Sequence, residues 1–289
     1  VNLRENLTSK LDRLVSMGQK IMGCGAGLRH AHIEEILKNK PNISWLEALS
    51  DNYLREGSVH QEYLFEIASY YPVLLHGVGL SIGAADPLNQ NYLSQLKALA
   101  DRLDPPWVSD HLCWSSVHGL ATHDLIPLPY TQSTIHHVAS RILDVQDYLG
   151  RELVIENVSS YLEYQDSMMP EWEFISEVVE AADCGMLLDV NNVYVSASNH
   201  NFSADTYLAA IPAGRVRQLH LGGYDDRGTH LLDTHGYPVS EPVWALFEKA
   251  LKKLGPVPTL IEWDNNLPTL DVLLAEVEKA KTIMRKVTQ

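Results

Sequence analysis

Six short apolar runs in this chain close on a carboxylate or an imidazole: LLH at His76, VSDH at Asp110 and His111, LVIE at Glu156, MLLD at Asp189, QLH at His220 and LIE at Glu262. Asp233 and His235 follow in the motif DTH, and Asn192 stands three residues after Asp189. One acid at the end of a strand commonly caps a helix or holds a loop. Six such ends together are different, because their convergence would bury several like charges. Crowded carboxylates take up protons or need a cation between them. The set offers only oxygen and nitrogen ligands, which suit Fe, Mn or Zn rather than a thiolate site. Five carboxylates and four imidazoles exceed what one ion needs. Two or three metal ions are therefore expected, with Glu156 able to bridge a pair.

The elements that must position these residues show in the alternation of β-like runs and helical patterns. The runs span 20–28, 43–49, 72–79, 107–114, 152–158, 186–195, 216–222 and 258–264. Helical spacing, with apolar residues at i, i+3 and i+4, marks 91–103, 133–149, 171–182, 241–254 and 270–286. Eight strands, each with a helical segment after it and no Pro/Gly/Ser linker between, predict one α/β domain, a single (β/α)8 TIM barrel over 20–289. All six charged strand ends would then point to one face, where barrel active sites lie. An open doubly wound sheet is the alternative. Leu3, Leu7, Leu11, Leu14 and Val15 predict a helical extension over 1–19, and the loops around Met168–Pro170 and 224–240 are lid candidates.

Composition narrows the partners. Thirty-seven acidic against 22 basic residues give a formal charge of −15, which points away from a nucleic-acid surface. Three separated cysteines form no disulfide framework, so a reducing cytoplasm is expected. No window approaches the roughly 18 apolar residues of a membrane span, and Arg4, Glu5, Lys10, Asp12 and Arg13 break any signal-peptide block. The glycines at 23, 25 and 27 and at 77, 79 and 83 do not make G-x-G-x-x-G and read as tight turns. His136 and His137 fall on a helix surface, His118, His123 and His200 in loops, and Cys113 in packing.

The order of these residues resembles the metal set of the xylose isomerase-like barrels. The zinc-dependent apurinic endonucleases among them share the order, but their D-x-x-H position reads Asn192 here. A closer resemblance runs from residue 23 along nearly the whole chain. GAGLRHAH, LHGVGLSIG, SDHLCW, LPLPYT, IENVSSY, LLDVNNVYVSASN, QLHLGGY, DTHG and LIEWDNN look like the multinuclear non-heme iron-dependent oxidative enzymes. That family includes the methanobactin-maturation oxidase and enzymes that modify cysteines of ribosomally made peptides. The resemblance implies a barrel with two or three irons, O2-dependent oxidation of a side chain in a precursor peptide, and often a separate partner protein that presents the peptide. It places one iron on His76, Asp110 and Glu156, with His111 competing with Asp110. It places the next on Glu156, Asp189, His220 and Glu262, and a third on Asn192, Asp233 and His235. Arg29, His32, Asn52 and Asn157 become substrate-binding or supporting residues, with Asp51 replacing the glutamate expected before Asn52.

Two other readings share the scaffold. A zinc- or manganese-dependent phosphodiesterase or endonuclease would activate water and present a basic rim. A sugar isomerase would need a small polyol pocket, for which Trp114, Tyr224 and Trp263 are candidates.

Overall fold

The computed structural model describes residues 21–288, and the helix expected over 1–19 lies outside the described residues. In chain order the strands are β1 (Cys24–Leu28), β2 (Leu46–Leu49), β3 (Val73–Gly77), β4 (Trp107–His111), β5 (Trp114–Val117), β6 (Leu120–Ile126), β7 (Glu152–Glu156), β8 (Gly185–Asp189), β9 (Val216–Leu221), β10 (Tyr224–Asp226), β11 (Leu231–Asp233) and β12 (Thr259–Ile261). The α-helices are α1 (Ile33–Asn39), α2 (Val59–Ala68), α3 (Gln90–Leu103), α4 (Gln132–Leu149), α5 (Glu171–Ala181), α6 (Val190–His200), α7 (Ala204–Ala210), α8 (Glu241–Leu254) and α9 (Leu270–Thr288). Eight strands close into a parallel barrel in the order β1-β2-β3-β4-β7-β8-β9-β12, and β12 pairs back onto β1. This is the expected (β/α)8 architecture.

Three local expectations change. The run 186–195 is strand only to Asp189. There the Asp189 carboxylate accepts the Asn192 N–H at 2.6 Å, which caps α6 and turns the valine-rich remainder into helix. His200 is accordingly the last residue of that helix rather than a loop residue. The run 107–114 stops at His111, and an antiparallel hairpin, β5–β6, follows. A second hairpin, β10–β11, occupies part of the segment read as a lid.

Strand side chains alternate between two environments with period two. Val73 and Leu75, Val108, Leu153 and Ile155, Met186 and Leu188, and Leu219 and Leu221 belong to the core between the sheet and the helices. Residues of the other parity face the barrel interior. Leu74 and Leu260 pack there with Ile21 and Trp45 as a separate apolar cluster, with Trp107 against it. Gly25 makes room for this plug, since a Cβ at that position would meet the Trp45 ring. Two residues further along β3 and β12 the same interior becomes polar, at His76 and Glu262.

Candidate metal centre

Register brings the ligand-type residues level with one another. His111 of β4 pairs with Glu156 of β7, and Asp189 of β8 pairs with His220 of β9. The Glu262 N–H donates to Leu221 O at 2.9 Å, which continues the ladder one residue past β12. His235 arrives from the loop after β11 with a left-handed backbone (φ 41°), a region that few non-glycine residues adopt. Gly222, just after β9, permits this approach, because a Cβ there would overlap the His235 ring.

Glu156 is the hub. Its Oε2 lies 3.2 Å from both His76 Nε2 and His111 Nε2, and its Oε1 lies 3.3 Å from His220 Nδ1. The ligand atoms form one group of His76, His111 and Glu156 and a second of Glu156, Asp189, His220 and Glu262, all buried. Glu262 Oε2 sits between His220 Nδ1 (3.0 Å) and His235 Nδ1 (3.1 Å). A further group joins His235, Glu262 and Asp264. On its other edge, His235 Nε2 stands 3.0 Å from Asp233 Oδ1 and 3.5 Å from Asp189 Oδ2.

The outward ring nitrogens show which atoms are free to ligate. His111 Nδ1 faces only a carbonyl, Gly77 O at 3.1 Å, so it carries the proton and Nε2 keeps the lone pair. Ser109 Oγ donates to Leu75 O and therefore accepts from His76 Nδ1 at 2.9 Å, which again frees Nε2. Several inward atoms are buried without a hydrogen-bond partner: Glu156 Oε2, Asp189 Oδ2, Asn192 Oδ1, His220 Nδ1 and His235 Nε2. Buried polar atoms are almost always paired. Five orphans at the mouth of one barrel, all oxygen or nitrogen, fit divalent cations.

Electrostatics agree. Burial lifts the Glu156 carboxyl to about 7, and burial together with the Glu156 and Asp233 charges holds Asp189 well above its ordinary range. Burial and the neighbouring His111 and His220 keep His76 low, as a neutral ligand. Burial opposes charge on His220 and His235, but Glu47 and Glu262 outweigh it for the first, and Asp233 and Glu262 for the second. Burial likewise opposes ionised Glu262, whose carboxyl His220 and His235 nonetheless hold well below the usual range. An incoming cation therefore displaces protons from this centre.

The other expected residues divide. Asp110 has outward parity and accepts the His111 and Leu80 N–H groups, so His111 rather than Asp110 enters the group around Glu156. Asn157 exchanges two hydrogen bonds with the Asp189 backbone (2.9 and 3.0 Å), tying β7 to β8. The Asn192 amide donates to Asn157 O at 3.1 Å. Asp233 accepts from Ser159 and Asn191 beside His235. Arg29 pairs with Glu262 (3.2 Å) and with Asp264. His32 holds Pro268 O at 2.8 Å, away from the groups, and Asn52 is exposed in the turn after β2. Glu47 and Asp264 were not expected. Glu47 is buried on β2 with Oε1 3.0 Å from His220 Nε2, and Asp264 Oδ2 lies 3.6 Å from His235 Nδ1. Parity offered a signal for Asp264, two residues after Glu262. Glu47 sits inside its apolar run rather than at the end.

The model of a family described as "RiPP precursor modification enzyme MbnB/TglH/ChrH" matches residues 23–285. A UPF0276 protein of Acaryochloris marina is 53% identical over 264 residues, covering 91% of this chain and 95% of its own. One from Anaeromyxobacter sp. is 49% identical, covering 92% and 94%. Among solved structures, D-psicose 3-epimerase from Clostridium cellulolyticum H10 aligns with a TM-score of 0.61 at 12% identity, over 93% of this chain and 100% of that one. A xylose isomerase domain-containing protein from Salmonella typhimurium aligns at 0.57 with 14% identity, over 93% and 98%. At such identities these structures share the barrel. No helix among the described residues is long and apolar enough to cross a membrane.

Proposed function

The chain belongs to the MbnB/TglH/ChrH family of RiPP precursor modification enzymes, and from that premise we propose that it is a multinuclear iron oxidase. It uses O2 to oxidise a side chain, a cysteine in this reading, of a ribosomally synthesised precursor peptide, which a separate protein presents. The observation that carries the reading is Glu156, shared by two buried ligand groups whose inward atoms lack hydrogen-bond partners.

His76, His111 and Glu156 would hold one ion, and Glu156, Asp189, His220 and Glu262 the next. Asp233, His235 and, as the resemblance implies, Asn192 would hold a third. Iron held there would supply the redox and Lewis-acid chemistry toward O2 that the side chains lack. The side chains bind, orient and exclude water. Arg29 offsets the charge of Glu262 and Asp264 and leaves Glu262 Oε2 turned to the imidazoles. Ser159 and Asn191 fix the Asp233 carboxylate. In this reading an extended peptide lies in the cavity of about 870 Å³ between the loop Val78–Ser81 and the β5–β6 hairpin. Charge −15 disfavours the phosphodiesterase reading, and the sugar isomerase reading draws only on the shared barrel.

Protein purified without oxygen, analysed for metals and by iron-57 Mössbauer spectroscopy, tests the proposal. Two or more irons per chain with ferrous and ferric signals are expected. Stoichiometric zinc that persists after anaerobic iron reconstitution would overturn the oxidase and favour a hydrolase.

A further inference from the structure

His220 differs from the other imidazoles of the centre in what stands behind it. His76 and His111 lean on a hydroxyl and a carbonyl, whereas His220 turns Nε2 to a second buried carboxylate, Glu47 Oε1, at 3.0 Å. Glu47 is 3% exposed and joins none of the metal-type groups. Its other oxygen, Oε2, accepts from the Gln218 amide, and Gln218 Oε1 accepts the Trp107 indole N–H at 3.1 Å. An indole nitrogen can only donate. Trp107 therefore fixes the Gln218 amide, with its oxygen toward the indole and its NH2 toward Glu47. Trp107 itself packs against the apolar plug of the barrel.

We infer that Glu47 is a positioning residue. It accepts the Nε2–H of His220 and leaves the Nδ1 lone pair for a metal ion, and the chain Trp107–Gln218–Glu47 fixes this choice from the plug upward. The inference deepens the proposed function and rests on its metal-binding part alone. A neutral imidazole has one N–H and one lone pair. His220 Nδ1 has no hydrogen-bond partner and lies 3.0 Å from Glu262 Oε2 and 3.3 Å from Glu156 Oε1, at the heart of the four-ligand group. The Gln218 NH2 is also 2.8 Å from His220 Nε2 and competes for the opposite tautomer. That tautomer would leave Glu47 Oε1 facing a lone pair in a buried site and put a proton where the cation belongs. A charged acceptor takes the amide hydrogen more strongly than a neutral ring nitrogen does, so the amide serves Glu47. A carboxylate behind a ligating imidazole also raises its basicity toward the metal.

The test uses the full chain loaded with Zn2+, which is diamagnetic, with 15N-labelled histidine. Long-range 1H–15N correlations should place the His220 proton on Nε2. Glu47→Leu should weaken zinc binding roughly 10- to 100-fold in chelator competition, the range for losing a ligand's outer partner. Glu47→Gln, which keeps an acceptor oxygen, should retain the tautomer and lose less. A wild-type proton on Nδ1, or Glu47→Leu within twofold of wild type, overturns the inference. If Glu47→Leu does not fold, Trp107→Phe keeps the plug filled and removes the donor that fixes Gln218. A second His220 tautomer, or about fivefold weaker zinc, the worth of one hydrogen bond, supports the chain; a wild-type spectrum and affinity overturn it. None of these readouts depends on oxidation of a peptide, so failure of the oxidase reading and failure of this one are distinguishable.

Discussion

The two ends of one barrel interior solve opposite problems. At the lower end Ile21, Trp45, Leu74 and Leu260 fill the space with apolar side chains. Burial of each such side chain stabilises the fold by about 1.5–3 kcal/mol. Two residues further along the same strands, His76 and Glu262 begin a layer of buried carboxylates and imidazoles with unsatisfied atoms. That layer costs stability until a cation enters it. Stability and chemistry are thus stacked along common strands, so substitutions two residues apart should have unlike consequences.

Glu156→Gln should have the largest effect. It should remove at least one metal ion per chain and lower turnover more than ~100-fold. The metal-free fold should stay within about 1 kcal/mol of wild type, since burial already raises this carboxyl to about 7. Metal analysis and urea unfolding read both halves, and a collapsed fold would make Glu156 as structural as the plug. Trp45→Ala attacks the other end. It should cost about 3–5 kcal/mol in denaturant unfolding, while the molecules that remain folded keep their metal content. Gly222→Ala displaces the His235 ring, and titration with Mn2+ followed by electron paramagnetic resonance should show one ion bound roughly 10- to 100-fold more weakly, with the melting of the metal-free chain little changed.

Asp110→Asn should have the smallest effect on the metal centre, and it separates the two parities of β4. Burial lifts the Asp110 carboxyl from its ordinary 3.8 to about 7. The folded protein keeps a proton that the unfolded chain releases, so this group's contribution to stability is greatest below about 4, falls as pH rises to about 7, and is level above. Removing the carboxyl should reduce that slope by about 1.4 kcal/mol per pH unit at most. Unfolding of metal-free protein across this range measures it. Metal content should be unchanged, because Asp110 points out of the interior; lost metal would place it among the ligands after all.

Much of this was legible because a strand repeats every two residues. Apolar runs that end in His76, Glu156, Asp189 and His220 place their last inward residue at the barrel mouth, and the structure brings all four together. The same period separates Asp110 from His111: counted from Trp107 through Ser109, inward parity falls on His111. Glu47 was hidden because it lies one layer below the mouth, within its run, and is intelligible only beside His220 on the far side of the lumen. The helix at Val190 was misread because Val190, Val193 and Val195 suit a strand, while the deciding contact is the short-range cap from Asp189. β6 is largely exposed, so no apolar alternation marks it; β10 and β11 have three residues each, too short for alternation to show, and take their meaning from delivering Asp233 and His235.

The closure of the barrel has a consequence for the life of the chain. Glu262 comes from the last strand, which pairs with the first, β1, and with β9. A nascent or truncated chain that ends before residue 259 lacks both the seam and a corner of two ligand groups. The two ligand groups that contain Glu262 can then be completed only after synthesis has delivered β12, whatever local structure forms earlier on the ribosome. The full set of adjoining ligand groups thereby marks a finished molecule, and a fragment lacks it.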